Sequence, residues 1–142
     1  MRVFQIADGL YISGKFQDKT ELEFTGIRFD VVVNLWNRPD NLILLPVGKR
    51  MYIHWPMRDG QVKEQVNFLL PLANMLIELL LQGKQVLIHC QGGRNRSALL
   101  AAVIMKIHYK DQETDWVEYT RKIRGSSAFN NEEFVKFLEG EF

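Results

Sequence analysis

Cysteine is almost missing from this 142-residue chain, in which Cys90 is the only one. A single thiol excludes an intramolecular disulfide and the stapled design of small secreted domains, so a reducing, cytoplasmic setting is expected. An excess of either charge is missing too. Lys and Arg number 18 against 17 Asp and Glu, a net charge of +1. That leaves no global pull toward nucleic acid or anionic lipid; no stable nucleic-acid partner is expected, and any anion site must be local. Proline is down to four residues, and no repeat, low-complexity tract or linker interrupts the sequence, so residues 1–142 read as a single domain. Long apolar runs are absent. The most apolar stretch, 68–81, is broken by Pro71, Asn74 and Glu78 and is too short to cross a bilayer, and the first residues show no signal-peptide pattern. Three histidines and one cysteine form no metal-ligand spacing, so neither metal nor cofactor is expected.

What is present suits a globular core: 46% hydrophobic and 25% charged residues. Strands are predicted over 3–6 and 10–13 around the turn Asp8-Gly9, then over 31–35, 50–55 and 86–89. Between them, helices are predicted over 18–24 and 68–81, the latter tolerating Pro71 only in its first turn. Residues 96–109 form the clearest helix, with apolar positions at Leu99, Leu100, Val103, Ile104 and Ile107. Two shorter helices, over 115–123 and 131–138, close the chain, the second with Asn130 as N-cap and Glu133 three residues on. Strands alternating with helices predict an α/β domain with a central, mostly parallel sheet of four to five strands flanked by helices. The three tryptophans, His54 and the Leu-rich residues 76–81 read as packing, and His108 as a solvent-facing helix end.

One segment carries chemistry: His89-Cys90-Gln91-Gly92-Gly93-Arg94-Asn95-Arg96-Ser97, set between a buried strand and a helix. Such a junction points several backbone N–H groups into one concavity, where the helix dipole adds positive character. Gly92 and Gly93 let the backbone curl into an anion nest, and Arg96 offers a planar fork for two phosphate oxygens. Cys90 would lie at the bottom, where donors and positive charge favour a thiolate placed for in-line attack on phosphorus. A lone cysteine ending an apolar strand is ordinarily an inert small hydrophobe. Here His89 before it, glycine three after it, Arg96 six after it and Ser97 beyond set it apart.

His-Cys-x5-Arg-Ser resembles the signature loop of the cysteine-dependent protein tyrosine phosphatase superfamily, and the whole chain resembles its smallest branch, the dual-specificity phosphatases. Residues 7–14 resemble that family's opening hairpin, 26–35 its first buried strand, and 116–138, with Arg124, Asn130 and Phe134, its closing helix pair. The resemblance implies that Cys90 is the nucleophile, that Arg96 binds phosphate and stabilises the transition state, and that Ser97 donates to the sulfur and assists breakdown of the phosphocysteine. The loop Gln91, Gly92, Gly93, Arg94, Asn95 and Arg96 would line the phosphate cradle, with His89 helping to position it. An aspartate on a separate loop must supply a proton to the leaving group. Asp59, in Pro56-Met57-Arg58-Asp59-Gly60 and 31 residues before Cys90, is the candidate; Asp40, beside Pro39, is the fallback.

The resemblance, with a chain too short for pocket-deepening insertions, implies a monomeric phosphatase acting on phosphotyrosine and phosphoserine or phosphothreonine in proteins. Arg94 opens an alternative: a basic residue four past the cysteine resembles phosphatases of phosphoinositides or phosphatidylglycerophosphate, and Asn95 resembles RNA 5′-triphosphatases. A phosphate-binding pseudophosphatase is the reading from outside the enzymes.

Overall fold

The computed structural model of the chain describes residues 1–40, 48–110 and 113–141. Five strands form one sheet in the order β1-β2-β5-β3-β4: β1 (Val3–Ala7), β2 (Leu10–Ser13), β3 (Val31–Asn34), β4 (Met51–His54) and β5 (Val86–His89). Only the β1–β2 hairpin is antiparallel; β2–β5, β5–β3 and β3–β4 all run parallel. The expected α/β architecture and largely parallel sheet are therefore present. Both β3 and β5 are buried at every position, as befits central strands covered on two faces.

Alternation along those strands sorts the core into two layers. Val31, Val33, Val86 and Ile88 face the larger layer, which holds α2 (Val66–Leu81), α3 (Arg96–Tyr109), α4 (Trp116–Arg124) and α5 (Glu132–Lys136). Val32 and Leu87 point the other way, toward Phe16, Phe29 and Leu22, the last on α1 (Lys19–Phe24). Asp18 caps α1 by accepting from the N–H groups of Thr20 and Glu21. The amphipathic stripe predicted for 96–109 is wider in the fold: Ser97 through Met105 are all buried, making α3 a core helix. No helix among the described residues is long and apolar enough to cross a membrane.

Two local expectations need correction. Helix α2 begins at Val66, so Pro71 falls in its second turn rather than its first. The proline removes a hydrogen bond to the carbonyl of Asn67, and that residue is exposed, so water can satisfy the group. At the C-terminal end the N-cap is Asn131, whose Oδ1 accepts from the N–H groups of Glu133 and Phe134. The capping box from Asn130 does not form, because α5 starts one residue later and continues after five residues into a π-turn, Phe137–Glu141. Asn130 is used elsewhere, as described next.

Candidate active site

In-register pairing puts Ser13, His89, Asn34 and His54 side by side at the C-terminal ends of four parallel strands. The chain leaves β5 at this edge, turns through residues 90–95 and enters α3, so the unpaired N–H groups of the helix start face the turn. Cys90 is only 2% exposed and lies within that turn. Its Sγ accepts from the Gly93 N–H at 3.3 Å and stands 3.4 Å from the Ser97 hydroxyl.

Glycine is required at position 93. Its φ is +66°, and a Cβ there would lie 2.6 Å from the Ser13 carbonyl carbon and the Gly14 nitrogen. The end of β2 thus packs directly on the loop, and the Lys15 N–H donates to the Gln91 carbonyl at 3.0 Å. From the far side Arg124 clamps the same loop, its Nε donating to Gly93 O at 2.9 Å and its Nη2 to Gly92 O at 3.2 Å. Phe129 adds a bond from its N–H to Arg94 O at 2.9 Å. With the carbonyls of residues 91 to 94 engaged outward, the loop is held in its curl by three separate segments.

Arg96, the first residue of α3, donates Nη1 to the Met57 carbonyl at 3.2 Å. Its Nε is buried without a partner. A buried donor left open beside a row of N–H groups is unfavourable by itself and calls for an acceptor, which an oxyanion above Cys90 would supply. Met57 belongs to the loop that follows β4, whose path is fixed by the Trp55 N–H on Asn34 O and the Met57 N–H on Leu35 O. Gln65 pins the next stretch, accepting from the Arg58 N–H at 2.6 Å and donating to the Arg58 and Gln61 carbonyls.

That loop delivers Asp59 to the residue next to Arg96. Asn95 Nδ2 donates to Asp59 Oδ2 at 3.1 Å, and Asn131 Nδ2 donates to Asp59 Oδ1 at 2.8 Å. Asn95 also donates to Asn130 Oδ1 and accepts the Asn131 N–H at 3.0 Å. A buried amide thereby joins the start of α3, the Asp59 loop and the start of α5, which explains why Asn95 gives its own helix no side-chain cap.

A family profile for the dual specificity phosphatase catalytic domain matches residues 10–140. The chain belongs to that family. This phosphatase domain is 28% identical over 139 residues to dual specificity protein phosphatase 18 of Bos taurus, covering 97% of the chain and 72% of the relative. It is 30% identical over 87 residues to the tyrosine phosphatase 197R of invertebrate iridescent virus 6, covering 59% of the chain; the match spans a third of the viral protein. Among solved structures, human DUSP28 superposes with a TM-score of 0.75 at 18% identity, covering 96% of this chain and 90% of that one, a likeness of fold.

Within the phosphatase domain the two acid candidates part company. The Asp40 side chain is buried, and its Oδ2 lies 2.6 Å from His89 Nε2, with the His89 ring packed on Phe16 at 4.6 Å. The Asp40 N–H donates to the Tyr52 hydroxyl, which also accepts from Asn34 Nδ2. Burial pushes the Tyr52 phenol up, partly opposed by that Asn34 bond. Asp40 therefore orients His89, while Asp59 reaches Asn95 beside Arg96. Arg94 is exposed, with its stem over Gly92. His54 bonds the Trp36 carbonyl at 2.7 Å, and His108 is exposed. Among the described residues, no three His, Cys, Asp or Glu side chains are grouped to hold a metal ion.

The amide bridge was invisible to sequence reasoning. The sequence offers Asn95 only as a cradle-lining residue and a point of resemblance to RNA 5′-triphosphatases, and gives Asn131 no role, because an asparagine pair before a helix reads first as a cap. The adjacency of Asn95 to Arg96 was the one signal available.

Proposed function

We propose that this domain hydrolyses phosphomonoesters through a phosphocysteine intermediate. The observation that carries this is Cys90 Sγ beneath the Gly93 N–H, with Ser97 at hand and, six residues on, the buried Arg96 Nε without a partner. The ester's phosphoryl group sits on the N–H groups of residues 91–96, and Arg96 takes two of its oxygens in a fork. Cys90 sulfur attacks phosphorus; the S–P bond forms as the bond to the leaving oxygen breaks, and Asp59 gives that oxygen its proton. Water then attacks phosphorus, Asp59 takes its proton, and the S–P bond breaks while the Ser97 hydroxyl donates to the departing sulfur. The two asparagine donors hold the Asp59 carboxyl in place while each oxygen keeps a second lone pair for the proton.

The first substrate reading is phosphotyrosine and phosphoserine or phosphothreonine in proteins, for a monomeric domain of 1–142 in a cytoplasmic, reducing setting. Arg94, exposed on the cradle rim, favours a second: the same chemistry on a polyanion such as a phosphoinositide, phosphatidylglycerophosphate or an RNA 5′-triphosphate. Activity on phosphoinositides above phosphopeptides, lost selectively in Arg94→Ala, would favour it; equal loss on both would remove it.

The decisive test is hydrolysis of p-nitrophenyl phosphate at mildly acidic to neutral pH, with reductant, for wild type and Cys90→Ser. Turnover that Cys90→Ser abolishes and EDTA leaves unchanged supports the proposal. Phosphate binding without turnover by fresh, reduced wild type would replace it with a binding module.

A further inference from the structure

The four parallel strands start in register on Leu10, Val86, Val31 and Met51, so the segments leading into them share one edge of the sheet. Arg50 directly precedes β4, Lys84 stands two residues before β5, and Arg28 stands three before β3. Two concavities open there. One, of about 260 Å³, is lined in part by Leu22, Glu23, Arg28 and Arg50. The other, of about 350 Å³, is lined in part by Asp30, Lys49, Arg50, Met51, Leu79 and Lys84. Arg50 belongs to both, so they form one continuous surface.

Arg28, Lys49 and Lys84 are exposed, and none of the four cations forms an ion pair among the described residues. The two carboxylates on this surface are already engaged. Asp30 Oδ2 accepts the Gln85 N–H at 2.9 Å, and Glu23 Oε1 lies 3.9 Å from Lys19 Nζ. In a chain of net charge +1, the edge therefore carries a local positive surplus.

Apolar side chains stand among these cations. Phe24, between Glu23 and the turn at Gly26, is 86% exposed, and Met51 is 45% exposed. Farther along the same edge, Leu81 and Tyr109 are exposed where they line the cavity beside Leu10. Four of the seven exposed large apolar side chains among the described residues thus lie at this end. Cations interleaved with aromatic and aliphatic groups match the boundary of a bilayer, where anionic headgroups overlie acyl chains. A nucleic acid would offer phosphates to the cations and bases to Phe24, but nothing to Met51 and Leu81.

We propose that this edge seats the domain on an anionic membrane surface. Arg28, Lys49, Arg50 and Lys84 meet the headgroups, and Phe24 and Met51 enter the boundary beneath them. The four-residue strands rise about 3.3 Å per residue, so the signature loop stands about 10 Å or more farther from the bilayer. Cys90 then works on phosphate esters that stand clear of the membrane. The inference rests on the geometry of this edge and is independent of the chemistry assigned to Cys90.

The test is cosedimentation of the full chain with vesicles of phosphatidylcholine, alone or with phosphatidylserine at about one lipid in four. Phosphatidylserine should tighten binding about tenfold or more, and Lys49→Ala/Arg50→Ala should remove that gain. Arg2→Ala/Lys15→Ala, which takes two cations from beside the signature loop, should leave it intact. Phe24→Ser, at a site too exposed to disturb the core, should weaken binding about fivefold or more at unchanged charge. Equal loss in both double variants would mean diffuse attraction and would overturn the surface. Wild-type binding by Phe24→Ser would leave a charge match alone, and would replace the bilayer with an acidic macromolecule. Vesicles should leave p-nitrophenyl phosphate turnover unchanged; its loss on binding would overturn the orientation. If wild type does not turn over the ester, the catalytic proposal fails, and the contrast between the double variants still decides which edge meets the bilayer.

Discussion

At their N-terminal ends the four parallel strands start on the row Leu10, Val86, Val31 and Met51; three positions on, the same strands end on Ser13, His89, Asn34 and His54. The first end borders a mainly apolar cavity of about 210 Å³ among Leu10, Ile77, Leu80, Ile104 and Met105. At the other, each polar side chain of the row makes at least one bond, although His89 Nδ1 is buried without a partner: His89 Nε2 with Asp40, Asn34 with the Arg38 carbonyl and the Tyr52 hydroxyl, His54 with Trp36 O, Ser13 with Gly14 O. Buried polar groups at the strand ends are tolerable only if loops bring them partners, and those bonds in turn hold the loops. Stability and chemistry are thus lodged at opposite ends of one sheet, the chemistry where parallel strands feed helix N-termini.

If that division is right, substitutions at the two ends should fail in different ways. Cys90→Ser should lower kcat by about 10³-fold or more while leaving the urea midpoint near wild type. Leu76→Ala, in the fully buried face of α2, should do the reverse: a loss of about 2–5 kcal/mol in urea unfolding, with kcat per folded molecule retained. A large kcat loss in that variant would show that the ends are mechanically coupled.

Asp59→Asn should cost about 10² or more in rate on esters with poor leaving groups, and much less on p-nitrophenyl phosphate, whose leaving group needs little protonation. Equal loss on both would take the acid role from Asp59. The smallest and most diagnostic change is Asn95→Ala. It should cost about 1–3 kcal/mol of stability, because Asn130 and the Asn131 N–H lose a buried partner. It should also reproduce a fraction of the Asp59→Asn leaving-group sensitivity. Lost stability with unchanged leaving-group dependence would reduce Asn95 to a structural tie.

Much of the architecture was readable from local pattern. The β-branched run Val31-Val32-Val33 and the strand before Cys90 appear where periodicity puts them, and α3 spans 96–109 as expected. Errors arose where two uses compete for one residue type. Asparagine serves as a cap or as a tertiary hydrogen-bonding group, so the cap moved from Asn130 to Asn131 and Asn130 was freed for Asn95. Helix α3 was expected to show one apolar face because alanine is weakly informative; Ala98, Ala101 and Ala102 mark positions where neighbours approach closely.

By itself the sequence determined the α/β order of elements and the position of Cys90 between a buried strand and a helix, because hydrophobic period and glycine placement are local properties. It also determined that any anion site had to be local, since 18 cations against 17 anions leave almost no net field. Only the tertiary structure decided which aspartate meets Asn95 and which meets His89, since 19 positions separate Asp40 from Asp59 and both follow strands. Only it could gather Arg28, Arg50 and Lys84 at one edge, because those residues lie far apart in the chain. Their placement is set by the shared register of β3, β4 and β5, which no local pattern encodes.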